Sequence, residues 1–148
     1  MTSRPILYAE DDENDGYFLQ RSFRQGGITN RLIVVPNGQE AIDYCSGLGC
    51  YADRSEHPLP CLMLLDLHMP KKSGMEVLSW VRGESPLRTL PVIILTSSLQ
   101  DTDIEAAYLA GANAYLVKPS QPDELTVMAS SIKDFWLRQN RALEKGGG

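Results

Sequence analysis

The sequence predicts a doubly wound α/β fold, in which a parallel sheet of five strands is covered by helices on both faces. Short apolar runs alternate five times with longer stretches of helical periodicity. Several of these runs are apolar almost throughout, as expected of parallel strands that are buried on both faces. Right-handed crossovers then place the five strand–helix units, a (βα)5 order, in a single sheet.

The apolar runs predict strands at 5–9, 31–35, 61–66, 90–95 and 114–117. The periodic stretches between and after them predict helices at 13–25, 37–46, 74–84, 101–110 and 122–143. Helix-ending glycines support two of these bounds, because Gly26 and Gly27 follow the first helix and Gly111 follows the fourth. Asn37 is a plausible N-cap of the second helix.

Two helices carry apolar residues at helical spacing, the pattern of a stripe on one helix face. The stripe of the third helix is Met75, Leu78 and Val81. The stripe of the last helix contains Leu125, Met128, Ile132, Phe135 or Trp136, and Leu143. Between the second helix and the third strand, residues 47–60 form a long irregular segment, which we interpret as a tolerated surface loop with a functional loop as the alternative.

The bulk composition is that of an ordinary globular protein of one domain. The chain has 148 residues, of which 43% are hydrophobic and 22% are charged. Its net charge of −5 argues against nucleic acid as a direct partner, because phosphate binding needs a basic face. No apolar run approaches the ~20 residues of a membrane span and the N-terminus does not resemble a signal peptide, so we expect a cytoplasmic protein without a membrane partner.

The three cysteines predict neither a disulfide framework nor a zinc site. Cys45, Cys50 and Cys61 are an odd number, and His57 and His68 lie nearby. Their spacings, C-x4-C and then H-x3-C, match no common structural zinc pattern. We therefore expect reduced, mostly structural thiols, with zinc as the disfavoured alternative.

Polar residues follow four of the predicted strands and should meet at one edge of the sheet. Folds of this class bind ligands beyond the carboxyl ends of the strands, where the strand order reverses. The residues at these ends are Glu10, Asp11, Asp12, Asp66, Thr96, Ser97, Ser98 and Lys118. Each one alone is more simply a cap or a turn residue, but their joint placement favours a functional site.

The chemistry of these side chains predicts a metal-assisted phosphoryl site. Carboxylates in one cleft repel each other, which favours shared protonation or a bound cation. A site with only oxygen ligands selects a hard ion such as Mg²⁺. Lys118 and Thr96 could each bind a phosphoryl oxygen, and Asp66 could attack phosphorus and hold the group as an acyl phosphate.

These residues lie in motifs that resemble the receiver domains of two-component response regulators, the CheY-like family. The motifs are "ILYAEDD", "LMLLDLHMPKKSG", "PVIILTSS" and "GANAYLVKP", in the family's order and spacing. The resemblance covers roughly residues 4–140 and implies a flavodoxin-like sheet of five parallel strands. The predicted receiver domain spans 4–143, and residues 144–148 are predicted to be a disordered tail.

The resemblance implies a role for each residue at this edge. Asp66 matches the phosphoacceptor, Lys118 the family's lysine, Thr96 the switch hydroxyl and Tyr115 the aromatic whose rotamer follows the switch. The loop after the acceptor is matched by Pro70 and Gly74.

The resemblance also implies a site for Mg²⁺ or Mn²⁺. Its ligands are Glu10, Asp11, Asp66 and the backbone carbonyl of His68. Because three acids are consecutive, the pair Asp11 and Asp12 is the alternative; Glu10 and Asp11 are preferred because they directly follow the strand-ending Ala9. The His68 imidazole would lie near the phosphoryl group and could change its hydrolysis rate.

The family implies a signalling protein that is not an enzyme beyond catalysing its own phosphorylation and dephosphorylation. A sensor histidine kinase or a phosphotransfer protein donates the phosphoryl group, and phosphorylation-dependent protein contacts carry the signal onward. "IKDFW" and the long 47–60 segment resemble single-domain regulators that partner phytochromes, which implies a phytochrome-type kinase. The stretch after Pro119 is enough for one helix and a tail, so no output domain is expected.

Two alternative functions are disfavoured by particular residues. A metal-dependent hydrolase with an aspartyl-phosphate intermediate favours a second acid two residues after the nucleophile, where this chain has His68. A pseudo-receiver that only binds proteins would normally lack the acceptor, an acid or the lysine, and all of these are present.

The last helix predicts a surface for protein contact. Phe135, Trp136 and Leu137 are consecutive, and at ~3.6 residues per turn they spread over more than half of the helix circumference. They are either a wide buried stripe with one exposed edge residue or a partner-binding face extended by Leu143. We expect a homodimer through the fourth helix, fifth strand and fifth helix, or a kinase contact there.

Overall fold

The computed structural model describes residues 4–142 and contains a parallel sheet of five strands. The strands are Ile6–Ala9 (β1), Leu32–Val35 (β2), Leu62–Leu65 (β3), Val92–Thr96 (β4) and Ala114–Val117 (β5). Their spatial order is β2-β1-β3-β4-β5, so the direction of winding reverses between β1 and β3. The predicted doubly wound fold is confirmed, and its ligand-binding edge lies at the carboxyl ends of β1 and β3.

Five α-helices connect and follow the strands. They are Glu13–Gln25 (α1), Gly38–Ser46 (α2), Gly74–Gly83 (α3), Asp101–Leu109 (α4) and Pro122–Ile132 (α5). Among the described residues, no helix is long and apolar enough to cross a bilayer. The predicted tail, 144–148, and Leu143 lie outside the described residues.

Capping side chains and left-handed glycines set the helix ends close to their predicted positions. Asp12 and Asn37 accept hydrogen bonds from backbone N–H groups in the first turns of α1 and α2, and Ser73 forms a capping box at the start of α3. Gly27 (φ 84°) and Gly111 (φ 107°) lie just beyond α1 and α4, in a backbone conformation that favours glycine.

The sheet is buried on both faces, which explains why its strands are apolar throughout. Successive side chains of a strand point to opposite faces. Met63 and Leu65 belong to the core cluster that α2, α3 and α4 cover, whereas Leu62 and Leu64 belong to the cluster beneath α1 and α5. All four side chains are essentially inaccessible to solvent.

The inward stripe of α3 differs by one residue from the prediction. Val77, Leu78 and Val81 are fully buried, whereas Met75 is only partly buried at the edge of the core. Val77 and Met75 are two positions apart, about 200° around a helix, so they lie on different sides of α3, and the side with Val77 and Val81 is the buried one. Apolar spacing alone did not distinguish them, because both residues fit a helical stripe.

The predicted helix over 122–143 was wrong in its second half. The α-helical geometry ends at Ile132 and continues as a π-helix over Lys133–Gln139, after which Asn140 is extended. The Asn140 N–H donates to the Phe135 carbonyl at 2.6 Å, a bond that spans five residues. An apolar stripe is compatible with either helix type, so the sequence pattern could not separate them.

The long segment 47–60 packs against α2 and is less irregular than predicted. It contains a 3₁₀ turn at Gly49–Tyr51. The Arg54 guanidinium donates to the carbonyls of Tyr44 at 2.8 Å and Cys45 at 3.0 Å, both in the last turns of α2. It also donates to the His57 carbonyl at 3.0 Å. A cation at the carboxyl end of a helix satisfies its free carbonyls and its dipole, so Arg54 fastens the segment to α2.

Candidate functional site

Four strands deliver charged and hydroxyl side chains to the predicted edge of the sheet. Glu10 directly follows β1 and Asp66 directly follows β3, and they are only 3% and 7% exposed. Thr96 is fully buried and is the last residue of β4, not the first residue after it as predicted. Lys118 directly follows β5, and its backbone N–H donates to the Thr96 backbone carbonyl at 2.8 Å.

Lys118 is bonded to three carboxylates at once. Its Nζ donates to Asp15 Oδ2 at 2.9 Å, to Asp66 Oδ2 at 3.2 Å and to Glu10 Oε1. An ammonium group has three N–H donors, so each can have its own acceptor. Burial lowers the pKa of Lys118, but the bonds to Glu10 and Asp15 and the charge of Asp66 outweigh it and raise the pKa above its ordinary value. The lysine therefore stays charged at neutral pH.

Glu10 accepts hydrogen bonds from three different groups of the site. The Tyr8 hydroxyl donates to Glu10 Oε1 at 3.0 Å, and the Asp12 N–H donates to Glu10 Oε2 at 3.3 Å. Burial raises the pKa of Glu10, Lys118 opposes this, and Asp66 adds to it, so that the pKa rises to about 7. Without a further cation, Glu10 is therefore partly protonated near neutral pH.

Three acids fit the requirements of a divalent metal ion. Glu10, Asp11 and Asp66 each offer a carboxylate oxygen, and these oxygens lie within 4.8 Å of one another. Glu10 and Asp66 share the Lys118 ammonium with Asp15, so the carboxylates here outnumber the ammonium and leave an excess of negative charge for a cation to neutralise. Oxygen-only ligands with one exposed member, Asp11, suit a hard ion that keeps some of its waters.

The structure favours the preferred pair of acids over the alternative pair. Asp12 accepts the N–H groups of Asn14 and Asp15 as the N-cap of α1, so its carboxylate is engaged at the helix end. The two acids whose carboxylate oxygens lie within 4.8 Å of an Asp66 oxygen are Glu10 and Asp11.

Thr96 and Tyr115, the two predicted switch residues, are joined through Ser98. The Ser98 N–H donates to Thr96 Oγ1 at 3.5 Å, and the half-buried Tyr115 donates its hydroxyl to the Ser98 carbonyl at 3.0 Å. The His68 side chain is exposed, and its Nε2 lies 3.9 Å from Asp103 Oδ2 on α4.

The loop after Asp66 passes so close to the backbone of Asp66 and Leu67 that only glycine fits at position 74. A Cβ on Gly74 would lie 2.1 Å from the Asp66 carbonyl oxygen and 2.8 Å from Leu67 Cα. The Gly74 N–H donates to the Leu67 carbonyl at 3.0 Å, which closes the loop. The start of α3 is therefore packed directly against the backbone that carries Asp66.

Two site residues could not be predicted from sequence. Asp15 lies in the first turn of α1 and is 103 positions from Lys118, so only the fold brings them together. Tyr8 is part of an apolar strand pattern, and nothing in that pattern indicates that its hydroxyl reaches Glu10. The acid-rich first turn of α1, directly after the strand-end acids, was the available indication for Asp15.

The three consecutive apolar residues of the last helix separate into two environments. Trp136 and Leu137 pack against the core cluster beneath α1 and α5, whereas Phe135 is 49% exposed. Within the described residues 4–142 the three cysteines form no disulfide, and Cys45 is buried, Cys61 partly buried and Cys50 exposed.

Comparison with known proteins places these features in a family. A model described as the response regulator receiver domain matches residues 6–130. The chain is 36% identical over 137 residues to the probable methanogenesis regulatory protein FilR2 of Methanothrix harundinacea, covering 93% of this chain and 86% of FilR2. It is 35% identical over 132 residues to the response regulator Rcp1 of Synechocystis, covering 89% of this chain and 88% of Rcp1.

Two solved structures of response regulators are similar to this chain in fold. The phosphorylated cyanobacterial phytochrome response regulator RcpA superimposes with a TM-score of 0.88 at 29% identity, covering 97% of this chain and all of RcpA. The Mn²⁺-bound form of Rcp1 superimposes with a TM-score of 0.83 at 33% identity, covering 95% of this chain and 99% of Rcp1.

Proposed function

Because this chain belongs to the response regulator receiver domain family, we propose that Asp66 is its phosphoryl acceptor and that phosphorylated Asp66 changes its contacts with other proteins. The observation that carries the proposal is the environment of Asp66. It is a buried carboxylate at the strand-order reversal, bonded to Lys118 and within reach of two further acids. Receiver domains are signalling modules, and a phosphoryl group bound covalently to Asp66 fits that role.

The transfer needs a carboxylate nucleophile and neutralisation of charge. One Asp66 oxygen forms a bond to phosphorus while the bond from phosphorus to the donor's imidazole nitrogen breaks, and the released histidine takes up a proton. We assign to Lys118, whose Nζ lies 3.2 Å from Asp66 Oδ2, the binding of a phosphoryl oxygen. The Thr96 hydroxyl is the neutral donor for another oxygen, and Tyr115 follows its movement as the switch aromatic.

Glu10, Asp11, Asp66 and the backbone carbonyl of His68 would hold Mg²⁺ or Mn²⁺. When bound, the ion withdraws charge from phosphoryl oxygens and screens the acids from one another. The excess of carboxylates over ammonium groups supports this assignment, as does the similarity to Rcp1, which has a Mn²⁺-bound form.

The raised pKa of Glu10 predicts that metal affinity depends on pH. A metal ligand must be deprotonated, so below pH 7 the ion has to displace a proton from Glu10. We expect Mg²⁺ affinity, measured by calorimetry, to fall by about tenfold per pH unit below 7 and to be level above it. Glu10→Gln should bind more weakly and lose this dependence, and a flat profile for the unmodified protein would contradict the assignment.

We propose a sensor histidine kinase of the phytochrome type as the donor, acting in the cytoplasm. The similarity to RcpA, a phytochrome response regulator, supports the kinase class. We also propose a homodimer through α4, β5 and α5. It is supported by the apolar side chains exposed on α4, on α5 and in the π-helix after it: Tyr108, Leu109, Val127 and Phe135.

The proposed receiver domain spans residues 4–143.

A small-molecule phosphodonor tests the function without knowledge of the kinase. Incubation with phosphoramidate and Mg²⁺ should add the mass of one phosphoryl group to the intact protein. No kinase is needed, because this chain itself supplies the nucleophile Asp66, the ammonium of Lys118 and the acids for the metal. Omission of Mg²⁺ and the variant Asp66→Asn should each prevent the gain. A gain that persists in Asp66→Asn would remove the proposal.

A further inference from the structure

Ser98 is a junction of hydrogen bonds beside the phosphoryl site. Its N–H donates to Thr96 Oγ1, and its carbonyl accepts from Tyr115. Its own hydroxyl accepts the Gln100 N–H at 3.3 Å and donates to Asp103 Oδ2 at 2.5 Å. The bond to Asp103 is the shortest of the four and ends on a carboxylate, and charge-assisted bonds of this kind are the stronger ones.

Asp103 is the third residue of α4 and is partly buried, whereas Asp101 on the same turn is exposed. Both acids lie at the positive end of the helix dipole, so charge at this end does not distinguish them. Asp103 alone of the two accepts the Ser98 hydroxyl. His68 Nε2 is the other group near the same oxygen, at 3.9 Å.

The position of Ser98 determines where the Thr96 hydroxyl can donate. A hydroxyl has one proton and two lone pairs. Because the Ser98 N–H faces a lone pair of Thr96 Oγ1, the Thr96 proton must point elsewhere, and it remains available for another acceptor.

We propose that Asp103 is a positioning residue that, through Ser98, aims the Thr96 hydroxyl at the phosphoryl group. This inference rests on the proposed function of Asp66 and Thr96. It extends the site to α4, a helix of which one residue, Ala107, is fully buried. Asp103 thereby links the conformation of α4 to binding at Asp66.

The test measures the affinity of the full chain for beryllium fluoride, a stand-in for the phosphoryl group, in the presence of Mg²⁺. Asp103→Ala should weaken binding by about threefold to tenfold, because Ser98 loses a charge-assisted bond. Asp103→Asn keeps an oxygen acceptor and should retain most of the affinity. Asp101→Ala removes the same charge from the same turn and should change nothing.

The route through Thr96 is tested by combining substitutions. In a Thr96→Ala background, Asp103→Ala should have no further effect, whereas a merely structural role would weaken binding there by the same factor. Thermal unfolding of each variant confirms that the comparison is made on folded protein.

Some outcomes would overturn the role of Asp103, and a different one would overturn the proposed function. If Asp103→Ala and Asp103→Asn both tighten binding, the carboxylate acts by repulsion and the inference is overturned. Equal weakening in the two backgrounds, or no weakening in either, also overturns it. If the unmodified protein does not bind beryllium fluoride while Asp66 is intact, the proposed function itself fails, which is a distinguishable result.

Discussion

Gly74→Ala is expected to destabilise the protein by about 3 kcal/mol and to slow phosphorylation of Asp66. The added Cβ would lie 2.1 Å from the Asp66 carbonyl oxygen, and its other close neighbours are backbone atoms that cannot rotate away. The strand end or the start of α3 must shift, and movement of the strand end would displace the Asp66 carboxylate from Lys118.

Gly83→Ala is the matched control in the same helix. A Cβ at Gly83 meets nothing within 4 Å, so the variant should gain about 0.5 kcal/mol from the lower entropy of its unfolded chain. Urea unfolding gives both free energies, and intact mass after exposure to phosphoramidate gives both phosphorylation rates. Similar behaviour of the two variants would show that the close approach at Gly74 does not constrain the acceptor.

Lys118→Met is expected to slow phosphorylation on the order of 10²-fold to 10³-fold while tightening Mg²⁺ binding. Methionine keeps the length of the apolar stem but removes the charge that Glu10, Asp15 and Asp66 share. The metal ion then no longer competes with an ammonium for the oxygens of Glu10 and Asp66. The same loss leaves buried carboxylates unpaired, so the metal-free protein should be less stable by roughly 3 kcal/mol and should recover when Mg²⁺ is added.

Calorimetry with Mg²⁺ and phosphorylation kinetics separate the two effects. Lys72→Met is the control, since Lys72 lies in the loop after Asp66 and, among residues 4–142, its ion pair is with the exposed Glu76 at 3.9 Å. It should leave both quantities unchanged. Weaker Mg²⁺ binding in Lys118→Met would mean that the lysine organises the acids for the metal, contrary to the charge argument.

The fold and the positions of the principal site residues could be predicted because both are encoded locally. Apolar runs identify strands buried on two faces, and a residue that directly follows such a run must lie at the sheet edge. Asp66, Glu10 and Lys118 were placed in this way, and the structure brings them into contact.

Contacts that depend on the packing of whole elements could not be predicted. Asp15 reaches Lys118 only because α1 begins beside the end of β5, and Arg54 reaches the end of α2 only because its segment folds back. Met75 and Val77 both fit a stripe, and their different burial depends on how α3 is rotated against the sheet. The π-helical geometry after Ile132 leaves no distinct mark in apolar spacing.

The most direct test of the account is to identify the phosphorylated atom. Borohydride reduces an acyl phosphate to an alcohol but leaves phosphorylated histidine, serine and threonine unchanged. After phosphorylation with Mg²⁺, reduction and peptide mapping, we predict that residue 66 alone has lost its carboxyl group. Reduction at Asp11 or Asp15 instead, or a phosphoryl group that resists borohydride, would contradict the assignment of Asp66 as the acceptor.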